Sequence, residues 1–211
     1  MRPTIGRHPM KGRCELLVEE AIPTVVARAR AGDEEAYRRI FERYYGPLCG
    51  LAFGMIGNRA EAEELVQETF VRACRKLDSM RDDRHLAAWL FGIARNVVRE
   101  AIRRKAGRRE ALSLEEVQPA DRRDPGEGPD GPVMTGELRR EIGGALASLP
   151  EEMREVFVLK VMLGMGYRDI SRVTGSSVGK LKTDLHRARL HLRRRLLRYM
   201  GADFRGMGGE S

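Results

Sequence analysis

Cysteine, aromatic side chains and long apolar runs are all scarce in this 211-residue chain. Its three cysteines, Cys14, Cys49 and Cys74, are widely spaced, with no CxxC pair and no histidine at ligand spacing. That excludes a disulfide framework and a zinc site and predicts reduced, structural thiols. The longest apolar stretches, such as Val156–Leu159, are broken by charges such as Lys160. They fall far short of the roughly 18 residues that cross a bilayer, so no membrane insertion is expected. Arg2, Arg7, Lys11 and Arg13 precede no apolar segment, and Glu19 and Glu20 stand where a signal peptide is uncharged, so a cytoplasmic protein is expected.

Catalytic signatures are missing too. None of the four histidines lies in a HExxH or nucleophile–base pattern, and no carboxylate pair sits in an apolar setting suited to general acid and base work. The run Gly175-Ser176-Ser177-Val178-Gly179-Lys180-Leu181 imitates a phosphate-binding loop, but it has three residues between its glycines instead of four. It also has Leu where a magnesium-binding Ser or Thr belongs, and it follows a helix where the motif needs a strand. The chain is therefore not expected to be an enzyme, and no cofactor or metal is expected.

Positive charge is abundant. Charged residues make up 33% of the chain, and Lys plus Arg exceed Asp plus Glu by 39 to 31, a formal charge of +8. Such a balance favours a polyanionic partner such as nucleic acid or an anionic membrane surface. The charge is unevenly placed. From Glu110 to Glu137 eight carboxylates face only Arg122 and Arg123, among Pro119, Pro125, Pro129 and Pro132 and several glycines. A core cannot come from this composition, so residues 108–136 read as a mobile acidic linker. It separates a domain at 24–107 from one at 137–200, flanked by a disordered extension at 1–23 and a flexible tail at 201–211.

Both domains read as helical, because their apolar residues recur at three and four. In the first, Ala36, Tyr37, Ile40, Phe41, Tyr44 and Leu48 form a stripe behind the N-cap Asp33. A second helix opens at Asn58 and carries Val66, Thr69, Phe70, Ala73 and Leu77; a third starts at Asp82 or Asp83 and carries Leu86, Trp89, Leu90, Ile93, Val97 and Ile102. About 20 residues are expected in each of these two. In the second domain, helices are expected at Glu137–Ser148, Glu151–Leu163 and Tyr167–Val173, then a Gly175-Ser176 turn and a long basic helix from Ser177. Helix, glycine turn, helix is the pattern of a helix-turn-helix.

On that last helix Leu181, Leu185, Ala188, Leu192 and Leu196 form the apolar stripe, while Lys180, Thr183, His186, Arg187 and Arg194 gather opposite. From Val178 to Arg198 eight Lys and Arg stand against Asp184 alone. Ser177 is placed to cap the Lys180 amide. A basic face behind a glycine turn points to DNA contact, against the blander reading of a solvated helical hairpin. The helix after Asn58 is the reverse: Glu61, Glu63, Glu64 and Glu68 exceed what its dipole needs, which suggests a basic protein partner. The next helix ends in Arg95, Asn96, Arg99, Arg103, Arg104 and Lys105.

Ordered along the chain, these segments resemble the extracytoplasmic-function sigma factors of the sigma-70 family of bacterial RNA polymerase. The first-domain match runs through Ala31-Gly32-Asp33-Glu34-Glu35-Ala36-Tyr37, Glu61-Ala62-Glu63-Glu64-Leu65-Val66-Gln67-Glu68-Thr69-Phe70, Ala88-Trp89-Leu90, Ile93-Ala94-Arg95-Asn96 and Arg103-Arg104. The second-domain match comprises Leu149-Pro150-Glu151, Arg154-Glu155-Val156-Phe157, Tyr167-Arg168-Asp169-Ile170 and Leu185-His186-Arg187-Ala188-Arg189.

The resemblance implies an initiation factor that directs core polymerase to promoters. Glu61, Glu64, Gln67, Glu68 and Phe70 would dock on the β′ coiled coil. Asn96, Arg99, Arg103 and Arg104, with the loop Asp78–His85, would hold the melted −10 strand, and Lys180, Lys182, Thr183 and Arg187 would face the −35 major groove. An anti-sigma factor is a possible further partner, and a cytoplasmic, nucleoid-associated location follows. The alternatives are a helix-turn-helix regulator that never touches polymerase and an enzyme using basic faces to hold nucleic acid.

The chain departs from the family where Gly-Thr-Val-Lys-Ser-Arg is usual: it has Gly179-Lys180-Leu181-Lys182-Thr183-Asp184, so the −35 sequence does not carry over. Gly166 stands where a Ser or Thr cap is common, at a cost of only about a few tenths of a kcal/mol. Asp184, on the rim of the exposed face, has two readings. Spaced four residues from Lys180 and three from Arg187, it pairs with them, or else it accepts a hydrogen bond from a cytosine amine.

Overall fold

The computed structural model describes the backbone of residues 21–112 and 136–206 and the side chains of 21–108 and 141–197. Among these the chain forms eight α-helices and no strand. Of the linker expected at 108–136, residues 113–135 lie outside the described residues, as do residues 1–20 of the expected extension and 207–211 of the expected tail.

Helix α1 (Ile22–Arg30) begins where the sequence reading places only an extension. Pro23 sits in its first turn, where a missing N–H costs nothing, and the fully buried Val26 anchors it. Helix α2 (Glu34–Ile56) starts as expected, with Asp33 Oδ1 accepting from the amides of Glu35 and Ala36 at 2.9 and 3.2 Å. It runs on through Gly46 and Pro47, buries Leu48, Leu51, Ala52 and Met55, and ends at Gly57 in the left-handed conformation. Helix α3 (Arg59–Lys76) is opened by Asn58, whose side chain accepts from the Glu61 amide at 3.0 Å.

Helix α4 (Leu86–Leu112) differs from expectation at both ends. Asp82 caps a short 3-10 turn, Asp83–His85, and the α-helix follows only at Leu86. It then runs for 27 residues, taking the start of the presumed linker with it. Its buried set is also wider than one stripe. Besides Leu86, Leu90 and Val97 it buries Phe91, Ala94, Val98 and Ala101, with Trp89, Ile93 and Ile102 half-buried, because other helices cover it on two sides.

In the second half come α5 (Gly136–Ala147), α6 (Glu151–Phe157), α7 (Tyr167–Thr174) and α8 (Val178–Gly206). The single helix expected at 151–163 breaks after Phe157 into one π turn, Val158–Met162, closed by the Leu163 amide on the Val158 carbonyl. A π turn winds one extra residue into the helix, which lets Val156, Val158 and Leu159 all face inward. The α7–α8 pair is the expected helix-turn-helix, with Gly175 left-handed at φ 74° and Ser177 Oγ accepting from the Lys180 amide at 3.3 Å. Helix α8 continues to Gly206, into the presumed tail.

The two halves share a core. One continuous cluster joins Val26, Leu48, Leu51, Phe70, Leu90 and Val97 to Val156, Val158, Leu159, Ile170 and Leu185. A smaller one between α5 and α8 holds Ala145, Leu149, Ala188 and Leu192, and Phe157 touches both. Glycines of α2 permit the union, since a Cβ at Gly54 would come within 2.7 Å of Val158 Cγ2 and one at Gly50 within 2.9 Å of Leu163 Cδ2. Each mid-helix glycine costs about 0.5–1 kcal/mol against alanine, so the close approach has to offset that.

Leu90 is 1% exposed at the centre of this cluster. Leu90→Ala should lower unfolding stability by about 2–5 kcal/mol, read as a drop in the urea midpoint at unchanged slope.

Candidate nucleic-acid interface

Helix α3 carries the acidic face. Glu64 and Gln67 are exposed, while Glu61 pairs with Lys105 of α4 and Glu68 with Arg72. Arg72 reaches on to Glu100 of α4 at 2.7 Å, and this guanidinium holds the Glu100 carboxyl below the usual carboxylate range. Phe70 is buried, so it is the floor of this surface and not part of its exposed face. Beside it opens an apolar groove lined by Tyr37, Phe41, Gln67, Phe70, Val71 and Cys74. Phe41 belongs to the stripe assigned to the core, yet it is 36% exposed with its ring 4.7 Å from Phe70, and Val71 is 50% exposed. Tyr37 donates to the Phe70 carbonyl at 2.8 Å, and burial pushes its hydroxyl up to about 12.

The segment between α3 and α4 is fixed from α1. Arg30 donates to the carbonyls of Met80 and Leu77 at 2.7 and 3.2 Å and to Asp83 at 2.9 Å, holding the loop open as a cleft lined by Pro23, Arg30, Met80, Arg81, Asp82, Asp83 and Arg84. Asp82 accepts from the Arg84 guanidinium and from the Arg84 amide, and also meets His85; the guanidinium above all keeps its carboxyl far below the usual range. Arg81 and Arg84 are exposed at the rim, so the cleft offers cations to a backbone and a recess to a base.

On α4, Asn96, Arg103 and Arg104 are exposed. Arg99, expected beside them, is half-buried and ion-paired with Glu151 of α6, outside good hydrogen-bond alignment. Arg95 lies deeper and donates to Glu155 at 2.5 Å. Glu155 is buried, and burial pushes its carboxyl up even though Arg95 pulls the other way.

On α8, Lys182, Thr183 and Arg187 are exposed as expected, and the Thr183 hydroxyl donates to the Gly179 carbonyl at 3.1 Å. Lys180 is half-neutralised, 2.6 Å from Asp184 and 2.5 Å from Glu152, and the Asp184 hydrogen bond raises its pKa. Asp184 is buried and not on the rim, so the pairing with Lys180 stands and the base-reading alternative loses its geometry.

Comparison with known proteins shows the family. Residues 40–108 match the Sigma-70 region 2 family and residues 139–192 the Sigma-70 region 4 family. The chain is 32% identical over 189 residues to the ECF RNA polymerase sigma factor SigW of Bacillus subtilis, covering 85% of this chain and 98% of that one. The chain belongs to the extracytoplasmic-function sigma factors. Another relative, the ECF sigma-E factor of Haemophilus influenzae, is 27% identical over 181 residues, covering 83% and 93% of the two chains. Among solved structures, CnrH in complex with the cytosolic domain of CnrY superposes at TM-score 0.61 with 27% identity, over 84% of this chain and 97% of that one. RpoE from Bartonella quintana, in complex with the anti-sigma factor NepR, gives 0.63 at 25% identity over 76% and 96%.

As a sigma factor the chain binds RNA polymerase and directs promoter recognition, which sets aside the regulator acting without polymerase. Among the described residues no group of three or more metal-ligating side chains occurs and no helix is long and apolar enough to cross a membrane. Sequence reasoning missed the residues joining the two sigma regions: Glu151 and Glu155, Arg154, and the glycines Gly50 and Gly54. The four-residue spacing of Gly46, Gly50 and Gly54 was the available signal, a small-residue stripe on one helical face.

With Asp184 paired, Asp184→Ala should leave the selected −35 sequence unchanged while leaving Glu152 as the one carboxylate that Lys180 must release to meet a phosphate. A binding-site selection should return the same consensus, and the salt dependence of DNA binding should steepen by about one counterion.

Proposed function

We propose that this sigma factor divides its surface among three partners. The α3 face with Glu61, Glu64, Gln67 and Glu68, beside the groove floored by Phe70, takes the β′ coiled coil of core polymerase. The α3–α4 cleft with Asn96, Arg99, Arg103 and Arg104 takes the single-stranded −10 element, and Lys180, Lys182, Thr183 and Arg187 take the −35 duplex. The observation that carries the docking half is the juxtaposition on α3 of exposed acids with an apolar groove in which Phe41 and Val71 lie open to solvent. Apolar contact supplies affinity there and the acids supply register. The −10 half is supported by the cleft held open by Arg30, lying next to a helix whose cations recur at one-turn spacing. An anti-sigma factor is a fitting regulatory partner, as the complexes of CnrH and of RpoE are for those proteins. A cytoplasmic, nucleoid-associated location and the absence of enzymatic activity belong to the same reading.

The direct test is run-off transcription by core polymerase with and without the chain. Glu64→Lys combined with Glu68→Lys should leave helix content intact and weaken capture of core polymerase at least about tenfold, some 1.4 kcal/mol. Unchanged capture would move the docking site elsewhere.

Asn96→Ala with Arg103→Ala should impair opening of a duplex promoter while sparing a promoter already melted over the −10 element. Equal loss on the two templates would argue against a single-strand role for α4.

A further inference from the structure

Arg30 stands outside every segment that the sequence reading assigns to DNA, on a helix which that reading does not foresee. Its guanidinium nevertheless meets the α3–α4 segment at three places: the Leu77 carbonyl at 3.2 Å, the Met80 carbonyl at 2.7 Å and the Asp83 carboxylate at 2.8 and 2.9 Å. An arginine donates within one plane through a rigid fork, and here the fork gathers acceptors spread from residue 77 to residue 83. We propose that Arg30 is a positioning residue for promoter opening, setting the shape of the recess, lined by Pro23, Met80 and its own guanidinium, that receives an unpaired −10 base. The inference rests on the reading of the α3–α4 cleft as the −10 site, and it adds α1 to that site.

Two observations put the effect of Arg30 on the loop and not on its own helix. Helix α1 is held without it, because Val26 is fully buried in the core and Arg28 fastens the end of α1 to Asp33, the N-cap of α2, at 2.6 Å. The loop, by contrast, is tied internally by short-range bonds: the Ser79 hydroxyl donates to the Lys76 carbonyl at 2.6 Å, and Asp82 reaches only Arg84 and His85. Such bonds shape each of the two 3-10 turns, Leu77–Ser79 and Asp83–His85, but leave the angle between them open. Arg30 spans that angle, since Leu77 belongs to one turn, Asp83 to the other, and Met80 lies between. Its edges are engaged by the loop, so the flat face of the guanidinium is what it offers to the cleft. A face stacks on any base without reading an edge, which leaves discrimination to the shape in which the loop is held. Arg81, exposed at the rim, serves the backbone on either side of that base. A lysine at position 30 would keep the charge, but one ammonium cannot hold both turns.

The test uses holoenzyme assembled from core polymerase and the full chain, with Arg30→Lys, Arg30→Ala and Arg81→Ala. Circular dichroism and capture of core polymerase check that each variant is folded and loaded; if Arg30→Ala does not fold, Arg30→Lys decides alone. From a promoter library randomised over both elements, the wild type should select a −10 consensus, and the Arg30 variants should select one flattened at one position or more, with the −35 half unchanged. A fluorescein-labelled single strand carrying the wild-type −10 selection should bind the Arg30→Lys holoenzyme at least about fivefold more weakly, the worth of one stacked base. Arg81→Ala should weaken binding of this strand and leave the consensus as it is, as loss of a phosphate contact does. Arg30→Lys equal to wild type in consensus and strand affinity would overturn the positioning role, because charge without the fork would then suffice. Weaker binding with an unflattened consensus would overturn it too. Arg81→Ala tells the two failures apart: weakened strand binding there keeps the cleft as the −10 site and sinks only the role of Arg30, whereas unchanged binding in every variant sinks the cleft as well.

Discussion

A guanidinium and a carboxylate taken out of water lose several kcal/mol of hydration each, and that loss is tolerated only where they meet. Arg95 on α4 and Glu155 on α6 are such a pair, 2.5 Å apart and both largely buried. The pairing brings residues 60 positions apart in the chain together, so α6 has to lie against α4. Much of the remaining arrangement follows. With α6 there, its π turn is pressed onto α2, which needs glycine at 50 and 54; α7 then covers the second side of α4, and Arg154 closes the ends of α2 and α5.

The arrangement also redistributes the chain's surplus of positive charge. Lys182, Arg187, Arg103 and Arg104 remain exposed and sustain the field that draws the chain toward DNA. Arg95, Arg99 and Lys180 are spoken for by carboxylates. Each phosphate contact withheld lowers the salt-dependent, sequence-independent part of DNA affinity. On α3, too, charges are paired across the fold: Glu61 and Glu68 are tied to Lys105 and Arg72 while Glu64 faces solvent.

Helix starts were the most legible part of the sequence, because a cap is a local device. Asp33, Asn58 and Ser177 each bond an amide two or three residues on, and none needs tertiary help. The apolar stripes of α3 and α8 were legible for a related reason: each packs against the rest on one face. Helix α4 is covered on two sides, so its single stripe understated what it buries. The α2 stripe overstated it, since Phe41 turns outward to the groove. The break of α6 into a π turn was invisible locally, as nothing in Val158–Met162 disfavours an α-helix; the demand to bury Val158 and Leu159 against α2 produces it.

Of the candidate sites, the sequence by itself determined which residue types are on offer: an acidic helix, a basic helix end and a helix-turn-helix with Lys182, Thr183 and Arg187 outward. Periodicity and capping settle those within single elements, over distances of a few residues. Which of those side chains stand available was decided only by the tertiary structure. Arg99, Lys180 and Asp184 look alike in the sequence, as charges on helical faces, but packing gives Arg99 to Glu151 and sets Lys180 between Glu152 and a buried Asp184. Glu151 and Glu152 lie tens of residues from Arg99 and Lys180, where no local pattern reaches, and meet them only when the chain folds.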